Sequence, residues 1–380
     1  DVLMPAQSEY QKRAFYNVHD VSHLLQAGTN CIALWMGPSW FQTSSGYAGP
    51  IVRAQLEIET SAGTSVISTD GQWRTAASCI TQLGTWSWGN FGGERYDAGN
   101  DVADWNLAAF NDSAWANVGE IAAPNITTSW QALPGNRMDP PIAAKSITPF
   151  KGKWLIDFGT TLTGWMRLQL KGLTPGQQVV LDYSDMLDPP LMFSQNEDGI
   201  QTHNQRDIYV AGASPEGVFQ SKFNQHAFRY VLVGGLTNAP ELGDAQAMMV
   251  RTHLDPAGEF RCSNELFNRI HEITVQTTLT QSPMGVIGGG EPREKCGYGD
   301  GGSFLTGWVY HLRSDSLFRK WHQDWRDTQR EDGWFKNVAP NFGEDGGGGP
   351  SWGGQASELV RRLSVYYGDK ATARDAYPAL

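Results

Sequence analysis

The sequence predicts a multidomain protein in which antiparallel β-sandwich domains precede a helical domain. At 380 residues the chain is too long for one ordinary hydrophobic core. Short strand-like segments fill its first two thirds, and helical spacing of apolar residues begins only near Pro256. Strands followed by helices are typical of separate β and α domains. We therefore expect three domains, at residues 1–140, 141–250 and 251–380.

The first 75 residues have the pattern of β structure. Residues 54–59 alternate small or apolar with polar side chains, which predicts a half-buried strand. The apolar run at residues 31–35 is a second strand candidate, and residues 61–63 predict a turn. Residues 80–135 lose this periodicity and are rich in Gly, Trp, Asn and Asp, which predicts long loops of the kind that often carry function.

A second β region is predicted from about residue 148 to 250. Strand-like apolar segments stand at residues 154–158, 166–170, 179–183 and 230–233. The tripeptide at residues 174–176, Thr-Pro-Gly, predicts a turn. Many short strands with frequent turn signals favour an antiparallel sandwich.

The last third of the chain is predicted to be helical. Ser263 stands where it would cap a helix whose apolar residues are Leu266, Phe267, Ile270 and Ile273. Helical spacing recurs over residues 318–325 and again over 359–366, which ends just before Gly368.

Composition narrows the function classes. With 29 Lys and Arg against 40 Asp and Glu, the chain carries a formal charge of −11, which argues against nucleic acid or an anionic membrane as a partner. No apolar run reaches the roughly 18–20 residues of a spanning helix, so we expect a soluble protein. Fifteen Trp and 43 Gly indicate a loop-rich protein whose flat apolar faces can stack on sugar rings, although most Trp are expected to serve packing.

The strongest candidate for chemistry is the Gly-rich segment 288–302, between the first two predicted helices. It combines three carboxylates with Arg293, Lys295 and a tyrosine, and its glycines allow close approach of a ligand. Glycoside cleavage requires a pair of carboxyl groups. Glu294 is the candidate acid; its cationic neighbours would lower its pKa, so burial or a second carboxylate must raise it again. The alternative is a solvated, salt-bridged loop.

A second Gly-rich segment, residues 332–354, also combines carboxylates with tryptophans, at Trp334 and Trp352. If both segments lie at the same end of successive helices they would form one pocket; otherwise they are flexible surface loops. The HExxH and GxSxG motifs are absent, which disfavours a zinc or serine hydrolase.

Several motifs, in order along the chain, carry a family resemblance. They are Gly93 to Ala98, Asp157 to Trp165, Asp-Ile-Tyr at 207–209, Phe223 to Tyr230, Gly258 to Asn264, and Gly-Pro-Ser-Trp-Gly at 349–353. The chain resembles the α-L-rhamnosidases of glycoside hydrolase family 78 along nearly its whole length. The resemblance implies β-sandwich domains followed by an (α/α)6 toroid, of which residues 251–380 would be only the first part. We therefore expect a fragment of a longer polypeptide. No organic cofactor is implied; a structural calcium ion is compatible with the sequence, but no loop motif predicts one.

The family's catalytic loop runs roughly Asp-Cys-Pro-x-Arg-Glu-x-x-Gly-Trp-x-Gly-Asp, with the Glu as general acid. Carried over, Glu294 is the acid, Arg293 and Asp300 bind rhamnose hydroxyls, and Tyr298 lines the pocket. Trp334 and Trp352 are weaker candidates for the pocket wall.

This chain departs from the family loop at three points. Gly289 or Gly290 replaces the leading Asp, Glu291 replaces the Pro, and one residue is missing between Gly297 and Asp300. The resemblance places the general base, a Glu, beyond Leu380.

The resemblance implies an exo-acting α-L-rhamnosidase that releases terminal L-rhamnose from plant or microbial glycans by inverting hydrolysis. One alternative is a lyase similar to polysaccharide lyase family 27, which would cleave rhamnose from glucuronate with Arg293 or Lys295 neutralising the carboxylate and Tyr298 or a nearby His as base. Another is a non-catalytic carbohydrate-binding relic. We expect a periplasmic or secreted location, with a cytoplasmic one left open, and the sequence predicts no oligomeric state.

Overall fold

The computed structural model describes residues 3–45, 49–86, 89–187, 203–288, 295, 299–343 and 346–379. Its strands are β1 Arg13–Tyr16, β2 Gln55–Thr60, β3 Gly63–Ser68, β4 Arg74–Thr75, β5 Ile80–Gln82, β6 Glu94–Asp97, β7 Ala116–Asn117, β8 Thr127–Trp130, β9 Asn136–Met138, β10 Ile142–Ala143, β11 Ser146–Phe150, β12 Lys153–Lys171, β13 Gln178–Ser184, β14 Arg206–Val210, β15 Glu216–Gln220, β16 His226–Gly234 and β17 Ala245–Thr252. Its α-helices are α1 Ser39–Ser45, α2 Glu265–Thr280, α3 Leu305–His311, α4 Asp315–Thr328, α5 Gln355–Tyr367 and α6 Lys370–Ala376. Short 3-10 segments stand at Ser22–Leu24, Leu242–Asp244, Pro283–Gly285, Gly299–Phe304 and Tyr377–Ala379.

The N-terminal part is built from small strand pairs joined by long loops. β2 and β3 form an antiparallel hairpin in which Leu56 and Ile58 are half-buried between exposed neighbours, so the predicted strand at 54–59 is confirmed. The strand predicted at residues 31–35 is wrong, because those residues have irregular backbone. Of these residues Trp35 takes part in aromatic packing, with its ring edge-on to Trp105 and Phe223 at centroid distances of 6.0 and 5.6 Å.

The second β region forms a large sheet of eleven strands. Its main path is β10-β17-β12-β16-β13-β14-β6-β5, with β11 and β15 paired to β12 and β9 paired to β17. Every pairing in it is antiparallel except that of β14 with β6. The segments predicted at 154–158 and 166–170 are both strands, but they belong to the single strand β12, whose pairing with β16 changes register between Asp157 and Leu162. A bulge bends a strand, so one long strand serves both halves of the sheet.

Alternate residues of these strands face one common core. Its buried members include Ile156, Phe158, Met166, Leu168 and Leu170 of β12, Val179, Leu181 and Tyr183 of β13, Val231 and Val233 of β16, and Ala245, Ala247 and Met249 of β17. Successive side chains of a strand point to opposite faces, and the buried residues of both halves of β12 contribute to this one core. Strands β5 and β6 extend one edge of this sheet, although they come from the predicted long-loop region.

The helical part begins where it was predicted. Phe318, Trp321 and Trp325 of α4 are fully buried, and α5 ends at Gly368, whose φ of 66° suits glycine. The predicted cap Ser263 is wrong by one residue. Asn264 is the cap, because its side-chain oxygen accepts the Leu266 N–H at 3.0 Å.

The helices pack against the N-terminal part of the chain. Their core joins Ala6 and Leu133 to Ile287, Trp308 and Trp321. The face of α2 predicted to be apolar remains largely exposed within the described chain; Leu266, Phe267, Ile270 and Ile273 are 46–65% exposed. Among the described helices, none is long and apolar enough to cross a membrane.

Candidate active site

The predicted active-site residues divide into two groups. Arg293, Glu294 and Tyr298 lie outside the described residues, as does the side chain of Asp300, whose main chain belongs to the 3-10 segment Gly299–Phe304. The Gly-rich segment 288–302 follows α2, as predicted, but it leads to α3, a helix that the sequence did not predict. Within this segment the structure describes Lys295, the residue directly after Glu294.

The Lys295 side chain is buried, with 1% of its surface exposed. Its Nζ donates hydrogen bonds to Asn224 Oδ1 and to the carbonyl oxygen of Gln225. The same Nζ lies 5.5 and 5.6 Å from the ring centroids of Trp86 and Phe91, within cation–π range. The alternative of a solvated, salt-bridged loop is therefore wrong at this residue.

The Lys295 main chain is held as well. Its carbonyl oxygen accepts hydrogen bonds from Gln7 Nε2 at 2.9 Å and from Trp40 Nε1 at 2.7 Å. The amine is bound by the large sheet's domain, whereas the carbonyl is bound by the N-terminal part. We call the four hydrogen-bonding partners Gln7, Trp40, Asn224 and Gln225, together with the rings of Trp86 and Phe91, the lysine cradle.

The turn that supplies the amine's acceptors is itself clamped by Glu94. The Glu94 carboxylate accepts the main-chain N–H groups of residues 222–224, with distances of 2.6 Å to the nitrogens of Phe223 and Asn224. The Glu94 N–H in turn donates to Asp207 Oδ1 at 2.7 Å. Because Glu94 opens β6 and Asp207 lies in β14, two paired strands fix the turn.

Asp207 is the centre of a buried polar cluster. Its Oδ2 accepts from Tyr183 Oη and Ser221 Oγ, both at 2.8 Å, and lies 3.0 Å from His226 Nε2. The Tyr183 and His226 rings stack with centroids 4.1 Å apart. Both Asp207 oxygens are hydrogen-bonded, which holds the carboxylate in place. Among the described residues, His226 Nδ1 is buried without a hydrogen-bond partner.

Burial shifts the pKa values of this cluster. It lowers the pKa of Lys295 to about 7, although the carboxylates of Asp207 and Glu94 oppose the shift. It raises the pKa of Glu94 to about 7, assisted by the charge of Asp207 and opposed by the three main-chain donors. Burial also acts to raise the pKa of Asp207, but His226 and the hydrogen bonds outweigh it, so that pKa lies below its ordinary value. Desolvation lowers the pKa of His226 despite Asp207.

The structure brings the second Gly-rich segment close to the first. Trp40, which binds the Lys295 carbonyl, stacks on Phe342 with centroids 4.7 Å apart and an interplanar angle of 7°. A Cβ placed on Gly302 would lie 1.7 Å from Gln355, the first residue of α5, so glycine permits this contact.

Of the predicted wall residues, Trp334 is 58% exposed and Trp352 is 41% exposed, both in the connection from α4 to α5. Exposed indole faces are available for stacking on a sugar.

Sequence reasoning missed the lysine cradle. Glu94, Asp207, Asn224, Gln225 and His226 stood out only as parts of family motifs, and the sequence predicted no role for any of them. The sequence does contain one indication of the cluster, because charged and polar residues recur among the apolar residues of the strand region. Their partners could not be predicted, since they are distant in sequence. In the part of the chain that the structure describes, no three His, Cys, Asp or Glu side chains are grouped to hold a metal ion.

Three family models match consecutive parts of the chain. The α-L-rhamnosidase N-terminal domain matches residues 1–140, the bacterial α-L-rhamnosidase concanavalin-like domain matches residues 147–251, and the bacterial α-L-rhamnosidase six-hairpin glycosidase domain matches residues 255–380.

Individual relatives cover the whole chain. A curated α-L-rhamnosidase from Streptomyces avermitilis is 30% identical over 398 residues, which is 100% of this chain and 37% of the relative. The structure of an α-L-rhamnosidase from Dictyoglumus thermophilum superimposes with a TM-score of 0.86 at 26% identity, over 100% of this chain and 42% of that one. The Streptomyces avermitilis α-L-rhamnosidase complexed with L-rhamnose also gives a TM-score of 0.86, at 27% identity, over 100% of this chain and 37% of that one.

The chain therefore spans about two fifths of the length of these relatives. Its β-rich domains and the beginning of a six-hairpin glycosidase domain follow one another in the same order as the three matched models. On these similarities, the chain belongs to the α-L-rhamnosidases of glycoside hydrolase family 78.

Proposed function

We propose that the protein containing this chain is an exo-acting α-L-rhamnosidase that releases terminal L-rhamnose from plant or microbial glycans. The observation that carries the proposal is the TM-score of 0.86 with a relative whose structure contains L-rhamnose. None of the relatives described above is named as a lyase, so the comparisons lend the lyase alternative no support. The absence of the family's leading Asp is the feature that still favours a non-catalytic binding relic. Measuring whether the protein hydrolyses any rhamnoside tests this alternative directly.

In this proposal Glu294 donates a proton to the leaving oxygen, and a Glu beyond Leu380 activates water. Arg293, Tyr298 and Asp300 bind the sugar, with Trp334 and Trp352 at the pocket wall. Inversion requires the two carboxyl groups to stand about 6.5–9.5 Å apart, which leaves room for the water. The helices of residues 255–380 would then be completed into an (α/α)6 toroid by further hairpins. The domain boundaries and the periplasmic or secreted location stay predictions.

The test uses the full-length protein and a series of α-L-rhamnosides. Wild-type protein is expected to release rhamnose. Inversion is indicated if the anomer that appears first in a proton NMR time course has the anomeric configuration opposite to that of the substrate. Glu294→Gln is expected to lower kcat by about 10²–10⁴-fold, because Gln cannot donate the proton. The loss should be largest for alkyl leaving groups, since these depend most on protonation.

Glu59→Gln is the matched control, because the same chemical change is made at an exposed residue of β2. It should retain wild-type kcat. Full activity in Glu294→Gln would exclude that residue as the acid. Binding of rhamnose with no turnover of any rhamnoside would support the relic, and an unsaturated uronate among the products of a rhamnose-capped glucuronate glycan would identify a lyase.

A further inference from the structure

Lys295 differs from an ordinary loop lysine because both ends of the residue are held. Its amine is bound by Asn224 and Gln225, and its carbonyl is bound by Gln7 and Trp40. A main-chain carbonyl and a side-chain amine fixed at once leave the residue little freedom of position or rotation. Lys295 directly follows Glu294, the candidate acid, in the sequence.

Burial of this amine is costly without compensation. An ammonium group taken out of water loses several kcal/mol of hydration unless it gains hydrogen bonds and nearby negative charge. Lys295 gains two oxygen acceptors and two aromatic faces, and carboxylates of Asp207 and Glu94 act on it. A lysine at the surface of the loop would have avoided this cost, so the contact fixes the loop rather than adding much net stability.

The turn that supplies the Asn224 acceptor is tied to the β core by hydrogen bonds, which makes it able to fix a loop. Glu94 holds residues 222–224 through their N–H groups, and Trp165 Nε1 donates to the Asn224 carbonyl at 2.9 Å. Trp165 lies in β12, in the middle of the large sheet. The position of the amine's acceptors is therefore determined by the β core and not by the helices.

We propose that Lys295 is a positioning residue that fixes the loop carrying Arg293 and Glu294, and that the two β-rich parts of the chain supply its seat. This inference rests on the proposed rhamnosidase function for its effect on rate. A general acid must stand within hydrogen-bond reach of the leaving oxygen, and a displacement of about 1 Å can lower a rate by about 10²-fold. The β-rich domains are then a working part of the hydrolase and not only an attachment to it.

The first experiment compares leaving groups in the full-length protein. Lys295→Met keeps an unbranched side chain that is one atom shorter, and it removes the charge and the hydrogen bonds of the amine. We expect kcat for an alkyl rhamnoside to fall about 10²-fold, with a fall below about 10-fold for a dinitrophenyl rhamnoside, because a good leaving group needs little help from a displaced acid. A general loss of folded protein would lower both rates equally. Equal losses on the two substrates, or no loss, would overturn the proposal.

Lys320→Met is the matched control. Lys320 is also buried, at 7% exposure, but its partner Asp324 lies on the same helix, with Nζ 2.7 Å from Oδ2. In this variant kcat should change by the same factor on the alkyl and the dinitrophenyl rhamnoside. Asn224→Ala is the milder companion to Lys295→Met, since it leaves the Gln225 carbonyl as an acceptor, and it should show the same dependence on the leaving group with a smaller loss.

A second experiment separates this inference from the proposed function. Hydrogen–deuterium exchange in peptides that span residues 286–299 is measured for wild type, Lys295→Met, Asn224→Ala and Lys320→Met. Faster exchange there in the first two variants, but not in the third, is expected whether or not any rhamnoside is hydrolysed. Unchanged exchange in Lys295→Met would overturn the positioning role, whereas a wild-type protein inactive on every rhamnoside would overturn only the proposed function.

Discussion

Two buried lysines of this chain are held in opposite ways. Lys320 finds its partner Asp324 one turn further along α4. Lys295 is bound through its side chain by residues 70 and 71 positions away, and through its carbonyl by residues 255 and 288 positions away. The first contact forms with its helix, whereas the second exists only once three parts of the chain have come together.

This difference separates what stabilises the fold from what shapes the candidate site. Breaking the helical pair removes a contact within α4 and leaves the hydrogen bonds of Lys295 in place. Breaking the lysine cradle disconnects the helical domain from the β-rich parts beside the proposed acid. We expect the first change to reduce stability and the second to act on rate and on local exchange.

The largest stability effect is expected from Asp324→Leu. Removal of one partner from a buried ion pair costs about 3–5 kcal/mol. The lower end, about 3 kcal/mol, is expected here because burial already lowers the pKa of Lys320, which can then release its proton. Urea unfolding at pH 7 measures the change, and kcat of the remaining folded protein should stay at the wild-type value.

The double variant Lys320→Met/Asp324→Leu is the control for this loss. With both charges gone, well-packed apolar side chains should restore more than half of the stability. A single variant as stable as wild type would show that the pair is not buried in solution.

The second prediction concerns pH. Burial lowers the pKa of Lys295 from its ordinary value to about 7, so above pH 7 the unfolded chain binds a proton that the native state does not. Stability from this group is therefore present at high pH and is lost as pH falls towards 7. Lys295→Met should lose this dependence, which corresponds to at most about 1.4 kcal/mol per pH unit.

Unfolding free energies of wild type and Lys295→Met at several values from pH 7 to pH 10 measure it. Wild type should gain on the variant as pH rises. Glu94 titrates at the lower edge of this window, because burial raises its pKa to about 7 and the stability that this shift contributes is lost as pH rises through that value. The comparison is therefore read above about pH 8. Lys320 is present in both proteins and its contribution cancels. A constant difference across the range would show that Lys295 stays charged in the fold.

Sequence patterns predicted what depends on near neighbours. The spacing of Phe318, Trp321 and Trp325 predicted α4 because a helix repeats every few residues, and apolar segments predicted β12, β13 and β16 of the large sheet. The patterns did not show that residues 154–158 and 166–170 form one strand. A bulge and a turn both interrupt the apolar pattern of a strand, so the sequence does not distinguish them.

In the candidate site, too, the part that depends on near neighbours was predicted and the part that depends on distant residues was not. The Gly-rich loop was predicted as a site from its own residues. The seat of Lys295 was not, because Gln7, Trp40, Asn224 and Gln225 reach it only through the tertiary fold, and no periodicity links them.

Trp40→Phe tests the assembled contact with a smaller change. Phe keeps an aromatic ring to stack on Phe342 but cannot donate to the Lys295 carbonyl, which retains Gln7. We expect a loss of about 1 kcal/mol of stability together with a leaving-group dependence weaker than that of Lys295→Met. Trp321→Phe is the control, because its Nε1 donates at 2.9 Å to the carbonyl of Ala339; it should lose similar stability without the leaving-group dependence.

The smallest effect sharpens the local side of the comparison. Ser263 and Asn264 are adjacent and both are residue types that cap helices, but only Asn264 accepts the Leu266 N–H, at 3.0 Å. Asn264→Ala should therefore cost about 1 kcal/mol of stability, whereas Ser263→Ala should stay within about 0.5 kcal/mol. Urea unfolding of the two variants decides between them. A larger loss of stability for Ser263→Ala than for Asn264→Ala would show that Ser263 is the cap, as the sequence predicted. The expected result shows instead that backbone geometry selects between two adjacent residues of capping type.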